Sequence, residues 1–397
     1  MTASPGLGGS VVIVGAGQGG LQAAMSVRQD GHTGPITLIG AEEGLPYQRP
    51  PLSKVYLKDG VAEKLNLRPE SFFEKKEITL RSGTWVKAID REGQMVSLGE
   101  EEVPYDHLIL ATGTRNLVPP IAGVNHAIGL RTLEDARALR AALEEPTRVA
   151  VIGGGFIGLE FAAVARSLGH DVAVAEAAPR LMARVVSPEM SELFRRKHGE
   201  IGTKLHLGNG VTEVTEKGIV LADGTKVPAD LVILAAGVCP NVELAEAAGL
   251  ATANGIVVDE TLRTADPRIF AMGDCCAFPD PHSGAMVRLE SVQAATDHAR
   301  CIARAITTGE VQRYSAVPWF WSDQADWKLQ IAGLAGPDDT CIRVGDHTVL
   351  RFSALGLTAV ETINDAKTHM KARKLLAQEV VPSRDFLEQR NYDLTAL

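Results

Sequence analysis

Two stretches of this chain, VVIVGAGQGGLQ from Val11 to Gln22 and VAVIGGGFIGLE from Val149 to Glu160, are copies of one pattern. In each, a run of four apolar residues leads into three glycines, Gly15, Gly17 and Gly20 or Gly153, Gly155 and Gly158. An uninterrupted apolar run of this length suits a strand of a parallel sheet covered on both faces. The first glycine permits a tight turn, and the second lets the backbone approach a pyrophosphate. The third lets the following helix pack on the strand, with its N-terminal N–H groups and dipole facing the anion. One copy fits a glycine-rich turn in any α/β fold. Two copies, each before a helix-like run (LQAAMSVRQ and LEFAAVARS), point to two nucleotide-binding lobes in one chain.

The repetition extends past the glycines. LRSGTWVKAID and QMVSLGEEEVPYDHLILATG read as short strands and turns that close on a buried strand, Leu108–Ala111. After the second fingerprint GIVLADGTKVPADLVILAAG does the same, closing on Leu231–Ala235; the returning strands end at Gly113 and Gly237. TADPRIFAMGD reads as a further strand leading to an exposed Asp274. From about Val317 the composition shifts: VPWFWSDQADWKLQ holds three of the four tryptophans, alternating strand-like segments follow, and the helix-like NDAKTHMKARKLLAQ comes last. The expected fold is α/β: two nested Rossmann-like lobes and a C-terminal α+β module. The boundaries expected are 1–113 with 240–316, then 114–239, then 317–397.

Charge and cysteines narrow the trade of such a protein. Forty Lys and Arg against 49 Asp and Glu give a net −9, which disfavours nucleic acid as the partner. The longest apolar runs, such as LVILAAGV, fall short of the roughly 20 residues of a membrane helix. MTASPGLGGS lacks the basic and apolar regions of a secretory signal and reads as a flexible lead. Five cysteines, odd in number and without C-x-x-C or zinc-like spacing, suit a reducing cytoplasm and no metal.

Beyond the glycines, PYQRPPLSKVYL (46–57), LRTLEDA (130–136), GGGFIGLEFAA (153–163), FAMGD ending at Asp274, ESVQ (290–293) and PWFWSDQ (318–324) complete a set. With these the chain resembles, over nearly its whole length, the FAD-dependent, NADH-using ferredoxin reductases of bacterial oxygenase systems, within the glutathione-reductase-like group. The resemblance implies FAD in the first lobe and NADH in the middle lobe. It implies that Asp274 bonds the flavin's ribityl or phosphate portion, against the alternative of a helix cap. Arg49 and Lys54 would place positive charge in a proline-stiffened loop beside the flavin, with a solvated loop as the plainer alternative. Val86, Arg131 and Val292 would line flavin or adenine, or serve as ordinary packing. Ile157 and Gly237 would flank NADH with the second glycine set. One departure stands out: at the end of ITLIGAEE an acid is expected for the FAD ribose, yet Gly40 and Ala41 occupy that place. Glu42 is the nearest substitute, or else a surface acid.

The first-lobe stretch EEGLPYQRPPLSKVYLKDG has no cysteine, which removes a dithiol or single-cysteine route; Cys275–Cys276 read as small buried residues rather than a disulfide. What remains by resemblance is direct flavin chemistry, a hydride from NADH to the flavin and then single electrons to an iron–sulfur ferredoxin. Glu160, placed in the first turn of its helix and pointing toward the cleft, would pair with Lys54 near the nicotinamide, or else lie on an amphipathic surface. Trp321 would cover the flavin edge facing the acceptor, or be a core aromatic. Glu176, ending the strand DVAVAE, is where an acid bonds the adenosine ribose and selects NADH; Arg180 and Arg184 downstream are either surface residues or phosphate ligands. Lys367, Lys371 and Lys374, with Arg373 beside them, share one face of the expected last helix, either a docking face for an acidic ferredoxin or a solvated surface. An NADH oxidase or disulfide-type reductase, and a redox-sensing flavoprotein related to apoptosis-inducing factor, are the alternatives. The oligomeric state is left open between a monomer and a weak homodimer.

Overall fold

The structure, a computed structural model, describes residues 8–281 and 283–397; most of the stretch read as a flexible lead lies outside the described residues. The chain divides into two compact units. One comprises Met1–Gln48, Glu63–Arg115 and Cys239–Ala316; the other comprises Arg49–Ala62, Asn116–Val238 and Val317–Leu397.

In the first unit the apolar runs become a five-stranded parallel sheet. Its order is Ile269–Ala271, His107–Leu110, Val11–Val14, Ile36–Ile39, Ile78–Arg81. Val11, Ile13, Leu108, Ile109 and Leu110 are fully buried, as strands covered on both faces must be. Truncating one of them to alanine would cost about 2–5 kcal/mol. Helix Gln18–Gln29 packs on helix Val292–Thr308. The second of these starts at Ser291, whose hydroxyl accepts from the Ala294 N–H, and ends at Gly309 in the left-handed conformation (φ 72°). The strand order reverses at Val11–Val14, and the carboxyl end of a parallel sheet at such a switch point is where ligands bind.

The second unit repeats the plan with order Lys204–Leu207, Asp171–Glu176, Arg148–Ile152, Leu231–Leu234, Ile128–Gly129, all parallel. Its switch point is Arg148–Ile152, the strand of the second fingerprint. Helix Pro188–Glu200 opens with Pro at its first position and a Ser187 cap. The C-terminal residues form a five-stranded antiparallel sheet, ordered Trp319–Gln324, Trp327–Gly333, Gly356–Ile363, Thr348–Ser353, Thr340–Val344. Helix Ala366–Leu376 closes it through Ala372, Leu375 and Leu376 against Leu350, Phe352 and Val360. That helix is not the last: a short one, Arg384–Glu388, follows and buries Leu387 in the same core. The proline-rich stretch is not an open loop either. Pro50–Ser53 and Val55–Asp59 are two short helical segments, because proline at the start of a helical turn sacrifices no hydrogen bond. Among the described residues no helix is long and apolar enough to cross a membrane.

Candidate active site

Both glycine turns have the same shape. Gly15 and Gly153 each have φ 111°, and a Cβ on either would sit 2.1 or 2.3 Å from the carbonyl oxygen of Ala111 or Ala235. On Gly20 or Gly158 it would sit 1.8 or 2.2 Å from the oxygen of Gly15 or Gly153. These four glycines are required by the protein's own backbone. Gly17 and Gly155 are different: a Cβ on either meets nothing within 4 Å among the described residues. Nor does either, as the capping residue of its helix, bring a side-chain cap. An open glycine facing uncapped N–H groups is the cradle a pyrophosphate needs, so both turns fit a dinucleotide.

The two lobes differ at the residue ending the second strand. Glu176 accepts from the Gly154 N–H (Oε2, 2.7 Å) and from the Ala178 N–H (Oε1, 2.7 Å). Its counterpart Gly40 faces Ala16, the counterpart of Gly154, and a Cβ on Gly40 would fall 2.7 Å from the Ala16 methyl. Small and large have exchanged places: Gly154 leaves room for Glu176, while Ala16 fills the room an acid would take. This is why the first lobe lacks the expected acid. Glu42, two residues on, is half-buried and accepts from the Tyr47 hydroxyl. Of the two downstream arginines, Arg180 spends its guanidinium on Val186 O, Ala183 O and Ser191 Oγ, whereas Arg184 is exposed.

Asp274 lies in a 3-10 turn after the strand Ile269–Ala271, half-buried rather than exposed, and it caps no helix. Thr114 Oγ1 is 3.5 Å from its Oδ2, and Arg288 Nη1 donates to its carbonyl at 3.1 Å. Sequence reasoning missed the residue behind this turn. His298, fully buried on helix Val292–Thr308, accepts the Gly273 N–H on Nδ1 at 3.2 Å. Burial lowers its pKa to about 3, so the ring is neutral. Only ESVQ, which opens this helix, hinted at it. Val292 and Val86 are half-buried.

The second unit brings Lys54 and Glu160 together. Lys54 Nζ is 3.1 Å from Glu160 Oε1 and 3.6 Å from Asp323 Oδ2. Glu160 also accepts from Ser53 Oγ (2.6 Å), Ser322 Oγ (2.8 Å) and the Asp323 N–H (3.3 Å). It begins the second turn of helix Phe156–Ser167, not the first, and is 3 % exposed, so it is no surface residue. Burial raises its pKa; Lys54, Ser53 and Ser322 pull it back. Removing Lys54 would strand this carboxylate, at a cost of about 3–5 kcal/mol.

Arg49 donates to Arg131 O at 2.7 Å, and the Arg131 and Thr132 N–H groups both donate to Asp135 Oδ2. Thus PYQRPPLSKVYL is tied to LRTLEDA through a backbone carbonyl. Ile157 is 42 % exposed at the start of its helix, and Gly237 (φ 109°) accepts the Leu117 N–H. Trp321 is half-buried with its ring 5.6 Å from Trp319, over which Arg373 lies at 4.8 Å. Arg373 is therefore stacked on an aromatic ring, while Lys367 and Lys374 are exposed and Lys371 is half-buried. All five cysteines are free, Cys275 and Cys276 fully buried with pKa values raised by burial. No metal-binding group of side chains occurs among the described residues.

Residues 9–299 match the pyridine nucleotide-disulphide oxidoreductase family, and residues 319–397 match the reductase C-terminal family. The chain belongs to the pyridine nucleotide-disulphide oxidoreductases. It is an oxidoreductase, and its cofactors are FAD and NADH. It is 46 % identical to rhodocoxin reductase of Rhodococcus erythropolis, covering 97 % of this chain and 93 % of that one. It is 38 % identical to putidaredoxin reductase of Pseudomonas putida, covering 98 % and 99 %. The crystal structure of the ferredoxin reductase for the CYP199A2 system of Rhodopseudomonas palustris superposes with TM-score 0.93 at 44 % identity, over 98 % of this chain and 99 % of that one. The reductase in a covalent putidaredoxin reductase–putidaredoxin complex gives TM-score 0.92 at 38 % identity, over 98 % of both chains.

Proposed function

We propose that this oxidoreductase carries electrons from NADH through FAD to an iron–sulfur ferredoxin that serves a mono- or dioxygenase. The observation that carries the reading is that Lys54, in a stretch without a thiol, meets the buried Glu160 carboxylate at 3.1 Å. Cys275 and Cys276 are buried with raised pKa values, so neither offers a thiolate at neutral pH. This argues against a route through either of these thiols, and similar proteins bear the names rhodocoxin reductase and putidaredoxin reductase.

FAD, when bound, takes electrons from NADH in pairs and releases them singly. In this reading residues 1–113 and 240–316 form the FAD domain, 114–239 the NADH domain and 317–397 the C-terminal domain. Gly15, Gly17 and Gly20 cradle the FAD pyrophosphate, and Asp274 takes a ribityl or phosphate-side contact. Glu42, oriented by Tyr47, takes the ribose part that Gly40 cannot. Arg49, Val86, Arg131, Val292 and Trp321 line the flavin or adenine. Gly153, Gly155, Gly158, Ile157 and Gly237 hold NADH, with Glu176 at its ribose. Lys54 and Glu160 form a fixed charge pair on the nicotinamide side and orient one another. Lys367, Lys371 and Lys374 steer an acidic ferredoxin toward Trp321. Turnover of NADH with a purified oxygenase ferredoxin, against oxygen alone, tests the reading. Ferredoxin-dependent NADH oxidation far above the oxygen rate is expected, and equal rates would overturn it.

A further inference from the structure

Behind Glu160 lies a line of buried polar side chains that none of the cofactor contacts requires. Ser322 Oγ reaches Glu160 Oε1 at 2.8 Å, Gln324 Nε2 reaches Ser322 Oγ at 3.0 Å, and His198 Nε2 meets Gln324 Oε1 at 3.0 Å. His198 Nδ1 lies 3.4 Å from Thr203 Oγ1. His198, Ser322 and Gln324 are all 0 % exposed. Ser322 and Gln324 fall two apart on the strand Trp319–Gln324, and hence on the same face.

The direction of every hydrogen bond in this line follows from the donor inventory. An ionised Glu160 only accepts, so the single Ser322 proton goes to it. Ser322 Oγ must then accept from the Gln324 amide, whose nitrogen also faces Met182 Sδ at 3.6 Å. This turns Gln324 Oε1 toward His198, which must carry its proton on Nε2 and accept from Thr203 on Nδ1. Within the line itself, from Thr203 to Ser322, each link donates toward the carboxylate.

We propose that His198, Gln324 and Ser322 form a one-directional donor relay that keeps Glu160 ionised and in a single rotamer beside Lys54. They act as positioning residues for reduction by NADH. The last step of this inference rests on Glu160 being the nicotinamide-side carboxylate; the relay itself does not. Other groups facing Glu160 are Lys54 and Ser53 from the segment Arg49–Ala62, and the Asp323 N–H from the strand; the Asp323 carboxylate bears on the same lysine. Burial alone would drive the carboxyl toward its neutral form, and the relay opposes that drive.

The test is an infrared pH titration of the Glu160 carboxyl in the FAD-loaded protein without NADH, with Glu160→Gln identifying the band. Ser322→Ala should raise the protonation midpoint by about one pH unit or more, since a hydrogen bond to a charged group is lost. Gln324→Leu, of similar size and one link further away, should raise it by less, and Ser322→Thr, which keeps the hydroxyl, should leave it in place. In the unmodified protein, nitrogen NMR should find the His198 proton on Nε2; a proton on Nδ1 would overturn the relay whatever the variants do. Unchanged midpoints in both Ser322→Ala and Gln324→Leu would overturn it as well. The pH profile of flavin reduction by NADH should move alkaline in step with the midpoint. A midpoint that moves while this profile stays fixed would uphold the relay and refute the placement of Glu160 at the nicotinamide.

Discussion

Acidification should loosen the first unit at His298, and the size of the effect follows from its surroundings. The ring is boxed in by Phe278 at 5.0 Å and Tyr314 at 4.4 Å, its Nδ1 accepts the Gly273 N–H, and Nε2 has no partner among the described residues. Folding lowers its pKa from 6.5 to about 3. Between those values the unfolded chain takes up a proton that the folded chain refuses. The stability from keeping the ring neutral is therefore complete above pH 6.5 and is lost as the pH falls toward 3. For these values the loss between pH 7 and pH 5 is about 2 kcal/mol. In the folded chain the ring itself takes up a proton only near pH 3, so at pH 5 it still accepts from Gly273, next to Asp274, and FAD should stay bound to the folded protein. Urea unfolding at the two pH values measures the loss, and flavin retention in the folded protein at both checks that the ring stays neutral there. His298→Asn keeps an acceptor near Nδ1 but cannot take up a proton. It should be weaker than the unmodified protein at pH 7, by about 2–3 kcal/mol for the lost ring. Its pH 7 to pH 5 difference should shrink by about 2 kcal/mol. The same pH dependence in both proteins would refute the reasoning.

Three further outcomes are expected. Gly40→Glu should destabilise the first unit and lower FAD retention, by about 1–3 kcal/mol of overpacking against Ala16. Adding Ala16→Gly should recover most of the loss, and a double variant no better than the single one would sink the exchange argument. Glu176 should give NADH about a hundredfold advantage in kcat/KM over NADPH, because the extra phosphate meets a carboxylate at a cost of about 2.8 kcal/mol. Glu176→Ser should narrow that ratio; comparable kcat/KM values in the unmodified protein would remove Glu176 from the ribose. Lys371→Glu with Lys374→Glu should slow ferredoxin reduction more at low salt than at high, and leave ferricyanide reduction unchanged. Equal losses with both acceptors would place the defect at the flavin.

Much of this protein was legible in the order of its residues, because the legible parts are local. The two glycine turns are each specified within six residues, and the buried strands announce themselves as unbroken apolar runs. The Lys54–Glu160 pair came from the family's motifs rather than from any spacing; two charges 106 residues apart in sequence carry no mutual signal of their own. Other features required the packed chain. That Gly17 and Gly155 open on empty space while their neighbours are clamped against carbonyls depends on strands far away in sequence. The missing acid at Gly40 looked like a departure and proved to be an exchange of volume with Ala16, visible only once the turn and the strand end stand side by side. His198, Gln324 and Ser322 each read as an unremarkable polar residue, and the line they make exists only where a helix, a strand and the Glu160 helix converge. Local sequence determined the turns and strands because φ/ψ preference and periodicity act over a few residues. Which buried polar group meets which partner was decided by the tertiary structure, because removing such groups from water makes each one dependent on whatever the fold places beside it.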